Sequence, residues 1–486
     1  MARRLFALAT ALVLVTSLTL AAFADNWDLT KGDINVKVDD AGKQTVHQPA
    51  NTENSAAKED PNPVISSNGA PTDNIITIDT AKNQTANITI DGVNASTDKS
   101  GIEVGTSSAT IHVEGKNKVS SSGGAGIHVS SGNLTITGDG TLVAEGNNTS
   151  AGIGSGNAEE MSGSITIEGS ATVTGSHGAT GHPGGAGIGS GNNAPMTGDI
   201  TIRGEATVTG ESNYGAGIGS GNGAKGTMSG NITIEDNATA TGSATTGAGI
   251  GSGQQGEMSG TITTDDNAKV TGTGAMGAGI GSGSKGEMSG NITIGGASQV
   301  TANAKHSTNP GAGIGSGTGF NNTNTAMSGN IAISTKATVE ASSKATGKDA
   351  TAGDDIGGGA DAQMTGTIRF FDPPEDSDQA GKTTALYRVV DDSGISTGYK
   401  SELKEGVLTI TVARKDANLT GTLSGLKTLT RWSVETIVFE TESATSTFTL
   451  AELIAKGEEK DTYRLTHKAE EVTLTLNGEP LENILK

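Results

Sequence analysis

Three pairs of adjacent acids could supply acid–base or cation chemistry: Glu235-Asp236, Asp265-Asp266 and Asp354-Asp355. A glycosidase needs two carboxylates at a fixed separation, and a lyase needs a base beside a cation-binding acidic cluster. The first two pairs, however, directly follow ITI or ITT in equivalent copies of a repeat, where Asp and Asn are ordinary turn formers. Arg203 is the one arginine between Asp25 and Thr367, so an anionic sugar would meet little fixed positive charge there. His112 and His128 stand alone in strand-like segments, and His177 and His182 lie in a Gly-rich loop with no carboxylate at metal-ligand spacing. All four read as solvent-exposed rings.

A Gly-rich signature, GAGIGSG, invites a phosphate-binding reading and fails it. Its glycines alternate as G-x-G-x-G-x-G instead of G-x-G-x-x-G, and no acid follows at the required distance. Gly184 to Ile188 matches the first five positions of the calcium nonapeptide, but the ligand Asp would fall on Gly189. The chain is therefore expected to be a non-enzyme, with no catalytic residue, no metal ligand and no cofactor. Ligand contact is assigned instead to loops. Tyr214 and Phe320 are the solenoid aromatics outside the ends, and both fall where loop lengths vary. Aromatic rings stack on sugar faces, and GTGFNNTNT adds amide and hydroxyl donors, so Tyr214, Phe320, Asn321 and Asn322 are the candidate carbohydrate-binding residues. The competing reading is that each ring packs its own loop.

The elements that must carry these residues announce themselves by repetition. Met161, Met196, Met228, Met258, Met288, Met327 and Met364 each precede an Ile by four residues. In the first six copies a small apolar residue follows that Ile eight positions later, as in Val173 and Val208. GAGIGSG recurs between the blocks, centred on Ile153, Ile188, Ile218, Ile250, Ile280 and Ile314. A frozen register inside the block with free length outside it is what stacked coils require. NITI and ATVTG alternate with the two-residue period of strands, and Gly, Thr, Ile and Val give no helical stripe. The expected fold is all-β: a parallel β-helix with three short strands per coil, the methionines forming an internal ladder. A metal-binding thioether row is the weaker alternative to core packing. Outward Asn and Thr at positions 231, 233, 291, 293 and 330 read as solvated strand faces.

The expected organisation is a signal peptide over 1–24, an N-terminal cap and loop over 25–72, β-helix repeats over 73–371, a linker over 372–385 and a β-rich module over 386–486. Arg3 and Arg4, an apolar run from about Leu5 to Ala22 and the Ala22-Phe23-Ala24 site make the signal. Its removal takes two Arg and no acid, so the net charge goes from −21 to −23. That acidity argues against nucleic acid as a partner. With no Cys there is neither disulfide nor lipobox thiol, and no second apolar run would span a bilayer in the mature chain. Trp27 and the DINVKV segment are expected to cover one end of the array, and Phe370 and Phe371 the other. In the C-terminal module, Thr449 to Glu452 reads as a capping box opening the one short helix, with Gly457 as its stop.

The ITI-xxGxATVTG-GAGIGSG repeats behind a leader, with GIEV, GAGIHV and NLTITGDGTLVAEG upstream, resemble the secreted carbohydrate-binding β-helix proteins of gut and cellulolytic Firmicutes. The resemblance covers roughly Trp27 to Thr367. It implies a right-handed, pectate-lyase-like parallel β-helix, a polysaccharide partner and a capacity for calcium, although no acidic cluster of this chain matches a calcium site. The reading drawn from it is a non-catalytic polysaccharide binder, extracellular or at the bacterial cell surface. One alternative is an adhesive surface protein whose solenoid is a rigid spacer, with non-covalent surface contact through the C-terminal module. A second is a polysaccharide lyase or hydrolase.

Overall fold

The computed structural model describes residues 25–485 except 51–55, 148, 178–183, 320–325, 348–349, 351, 372–386, 391–399, 405, 413, 432–433 and 469–470. The leader expected over 1–24 and the linker over 372–385 lie outside these residues. Among the described residues, the strands up to Phe371 gather into three long sheets of twelve, nine and thirteen strands, with Ala326–Met327 and Gln363–Met364 pairing apart as a two-stranded sheet. The chain visits the three sheets in turn, and pairing within each is parallel apart from one N-terminal hairpin edge. This is a parallel β-helix.

One coil shows how the sequence builds it. Ile232–Ile234 buries both isoleucines and turns Thr233 outward. Thr239–Ser243 buries Ala240 and Gly242, and Ile250–Gly251 is wholly buried. Met258 then closes the circuit. Like stacks on like in every sheet: Ile200, Ile232, Ile262 and Ile292 are successive partners in the first. In the second, Val208, Ala240 and Val270 align, and in the third Ile218, Ile250 and Ile280. The methionines form a fourth column, bridged in order from Met161 to Met327, and all six of these side chains are 0% exposed. The thioethers fill core, as the spacing predicts.

GAGIGSG supplies the tightest corner. Gly154, Gly189, Gly219, Gly251, Gly281, Gly315 and Gly357 share φ between 135° and 141°. A Cβ on Gly251 would sit 1.8 Å from the carbonyl oxygen of Gly281, so neither the backbone angle nor the space admits a side chain. The serine that follows is buried in every regular coil and works twice. Ser252 Oγ donates to the carbonyl of Gly256 and accepts the N–H of Gly283, and Ser190 and Ser282 repeat the pattern. Outside this corner, neighbouring segments meet: Gln254 N–H donates to the Tyr214 carbonyl at 2.8 Å, covering the buried strand.

The ends differ from the expectation of simple lids. Asn26–Asp28 pairs with Val64–Ser66 in the first sheet, and Ile34–Val38 pairs with Ile76–Thr80 in the third, so both are coil strands. Trp27 is buried, donating its indole N–H to Asp60. The exposed edge of the third sheet is closed by the antiparallel strands Gln44–His47 and Lys58–Glu59. At the other end Ile368–Phe371 pairs as the last strand of the first sheet, and the ring of Phe370 lies 6.1 Å from that of Tyr387.

The C-terminal module holds a five-stranded and a four-stranded sheet with two helices among its described residues. Leu423–Arg431, which the capping signal did not reveal, buries Leu423, Leu426 and Leu429 at a three-residue spacing. It packs against Leu450–Ile454. That second helix starts after Thr449 as expected, but the Thr449 hydroxyl meets the Glu452 carboxylate at 2.6 Å instead of a backbone N–H. It also ends at Ala455, before Gly457. No helix of the described residues is long and apolar enough to cross a membrane.

Three substitutions test which column limits the stack. Met258→Ala should lower stability by about 2–5 kcal/mol, the usual cost of emptying a buried Met site, whereas Met258→Leu should cost less than about 1.5 kcal/mol. Gly251→Ala should be worse than Met258→Ala, because the clash is with backbone. Urea midpoints of the three variants check this ranking.

Candidate functional site

Both aspartates of Asp354-Asp355 and the second acid of each of the other two pairs accept backbone N–H groups. Asp236 and Asp266 have φ of 60° and 55°, the left-handed turn that leads out of the first sheet. The Asp236 carboxylate accepts the N–H of Gly204 at 2.9 Å, and that of Asp266 accepts the N–H of Asp236 at 3.2 Å. Asp355 accepts the Ser343 N–H and Asp354 the Gly358 N–H. Asp236 and Asp266 thus tie neighbouring coils together, while Asp354 and Asp355 bond within their own coil.

Of the sequence-derived ligand residues, Tyr214 alone lies among the described residues. Tyr214 is half-buried before its GAGIGSG corner. The stacked glycines Gly215, Gly247, Gly277 and Gly311 put Thr246, Met276 and Pro310 at the equivalent position of the following coils, so Tyr214 gains no second ring there. Phe320, Asn321 and Asn322 lie outside the described residues. The polar rows are partly committed. Asn231 donates to Asp199 and accepts the Thr261 N–H, and Asn330 likewise donates to Asn291.

Two other surfaces emerge. An open groove of about 570 Å³ runs along the turns after three early first-sheet strands, lined by Asp91, His112, Glu114, Gly115, Gly138 and Asp139. Asp91 and Glu114 are register partners on adjacent coils, and His112 Nε2 lies 3.7 Å from Glu114. Gly115, at φ 55°, leaves room for Asp91 Oδ1, which a Cβ there would meet at 2.3 Å. Among the described residues no group of three or more His, Asp or Glu is placed to hold a metal ion. The second surface is the outward face of the nine-stranded sheet. Thr174, Thr209, Thr241, Thr271 and Thr301 stand in register across five coils, with Thr172, Thr207 and Thr239 in a parallel row. Over the first three outward positions of these five strands, Glu211 and Lys269 are the only charges.

Of the four histidines expected to be exposed, His112 is, and His182 lies outside the described residues. The other two are corrections. His128 points outward from Ile127–Val129 into a slot between Glu103 and Glu159, with Nδ1 2.5 Å from the first carboxylate and Nε2 2.6 Å from the second. Its side chain is only 15% exposed. Burial opposes its charge, but the two carboxylates outweigh that and raise its pKa to about 9. The hydrogen bond from His128 in turn lowers Glu159, with the Gly156 N–H and Ser130 adding to it. Sequence reading missed this cluster because Glu103 and Glu159 lie 25 and 31 residues from His128. Only the coil period brings them together. His177 is buried at the end of Thr172–His177; its Nε2 accepts the Asn213 N–H at 3.0 Å, while its Nδ1 meets no partner among the described residues. Gly184 lies against the ring, and burial lowers its pKa.

No protein-family model, no curated protein and no solved structure matches the chain. The architecture and the surfaces therefore carry the functional reading.

The depressed pKa of His177 sets a sign for acid stability. Below about pH 6.5 the unfolded chain takes a proton that the folded imidazole resists. Stability should thus be full above that pH and fall as the pH drops towards the folded value. His177→Gln, which keeps an acceptor for Asn213, should flatten the change in urea midpoint between about pH 7 and pH 5.

Proposed function

We propose that this protein is a non-catalytic, extracellular polysaccharide-binding solenoid that meets its ligand on an outward sheet face. The observation that carries the reading is the register of Thr174, Thr209, Thr241, Thr271 and Thr301. Adjacent strands repeat every ~4.8 Å, a spacing on the scale of one sugar unit in an extended chain. Hydroxyls in such a row donate and accept alike, so they suit a partner that is itself a row of hydroxyls. The near-neutral face, on a chain of net charge −21, favours an uncharged polysaccharide over a uronate polymer. Binding is favoured over catalysis because Asp236, Asp266, Asp354 and Asp355 all accept backbone N–H groups. The leader-like N-terminus supports export, and calcium enters only through the family resemblance.

A second reading rests on the C-terminal module, which has its own core of Phe439, Phe448, Tyr463 and Leu465. In it the solenoid is a spacer and the module makes the surface contact. Removing residues 386–486 separates the two: retained polysaccharide binding favours the solenoid, and lost attachment favours the module.

Co-sedimentation with insoluble cellulose, xylan, mannan and chitin tests the first reading. Retention on at least one neutral polymer is expected, with little dependence on salt. Thr241→Arg, at the middle of the row, should weaken it about tenfold, equivalent to ~1.4 kcal/mol. Failure of every polymer to retain the intact chain defeats the proposal.

A further inference from the structure

His128 faces Glu103 across the strand pair to one side. On the other side its register partner is Gly154, which offers no side chain. Glu159, from the turn after Ile153–Gly154, reaches back to fill that place. The ring is thus held by three successive coils at the position where later coils carry only glycine. It also marks a change of construction. The coils before it lack the Met bridge, and the first bridged methionine, Met161, follows Glu159 by two residues.

Ionised carboxylates only accept hydrogen bonds, so a ring with one on each nitrogen must donate from both. That ring is an imidazolium. The charged groups facing it are Glu103 from strand Ile102–Gly105 and Glu159 from the following turn; its own segment contributes the Ser130 hydroxyl, directed at Glu159. Glu103 and Glu159 are 37% and 40% exposed, so solvent reaches the cluster from its rim.

We propose that Glu103, His128 and Glu159 form a proton-held clasp between the N-terminal coils and the Met-bridged array, closed around neutral pH and released in alkali. Loss of one proton leaves a neutral ring that can donate to only one carboxylate. The other loses its partner, and two negative charges are left facing each other across the ring. The junction between the two parts of the solenoid then loosens while the array beyond Met161 stays stacked.

Nitrogen-15 NMR of the imidazole in the full chain tests the protonation state directly. At pH 8 both ring nitrogens of His128 should carry protons, with a titration midpoint near pH 9, roughly 300-fold tighter proton binding than an ordinary histidine. Glu103→Gln and Glu159→Gln should each move that midpoint down by at least about one pH unit. Hydrogen exchange, compared at pH 7 and pH 10 as protection factors, should show protection lost around Glu103, His128 and Gly154 but kept around Ile250 and Ile280. His128→Gln should remove the pH dependence of that loss. A neutral His128 at pH 8, or equal loss of protection along the whole rod, overturns the proposal. Since the NMR arm uses the natural chain, it decides even if a variant fails to fold. Polysaccharide retention is read separately, so loss of that function leaves this test intact.

Discussion

The whole architecture depends on how closely one turn of backbone lies on the next at the glycine corner. Successive carbonyls there approach to where a single Cβ would overlap them, and the φ values admit glycine almost alone. That contact sets the rise of the coil. Once the rise is that of adjacent parallel strands, the three sheets must run in register, and every inward residue falls on its equivalent above and below. The isoleucine, methionine and valine columns are the result. Each coil leaves an apolar face that only its neighbours can cover, so stability belongs to the stack and not to any one turn.

The same geometry explains why the chain spends its polar groups as it does. Backbone amides at the tight turns need acceptors that the next strand cannot supply. Asp236 and Asp266 supply them from the outside, and the buried serines from within. What remains for a ligand is the uncommitted face of the nine-stranded sheet, flat because its strands are locked together, and the acidic groove near the N-terminal coils.

Much of this was legible in the residues. The constant spacing of Met, Ile and Val encodes inward columns directly, because a two-residue period and a fixed register leave little freedom. The two paired strands near the N-terminus were harder to read, since Trp27 and DINVKV occur once and carry no repeat to align them. In the C-terminal module, LSGLKTLTR contains Gly425, Thr428 and Thr430, all weak helix formers, and its leucine stripe is only three residues long. Tertiary packing makes it a helix. The His128 clasp was beyond reach for a different reason: its partners are one coil away in space and some thirty residues away in the chain. The buried serines repeat as faithfully as the glycines, but a hydroxyl in a Gly-rich corner reads as ordinary turn chemistry until its two partners are seen.

Those serines have a consequence for how such a rod can change. Each hydroxyl gives to its own turn and receives from the following one, so every interior repeat presents the same unmet demand upward and the same offer downward. A duplicated repeat inserted anywhere in the Met-bridged stretch finds all of its partners waiting, and a deleted one leaves none stranded. Length can therefore drift by recombination in whole steps of ~4.8 Å, whereas a fractional insertion outside the loops breaks several ladders at once.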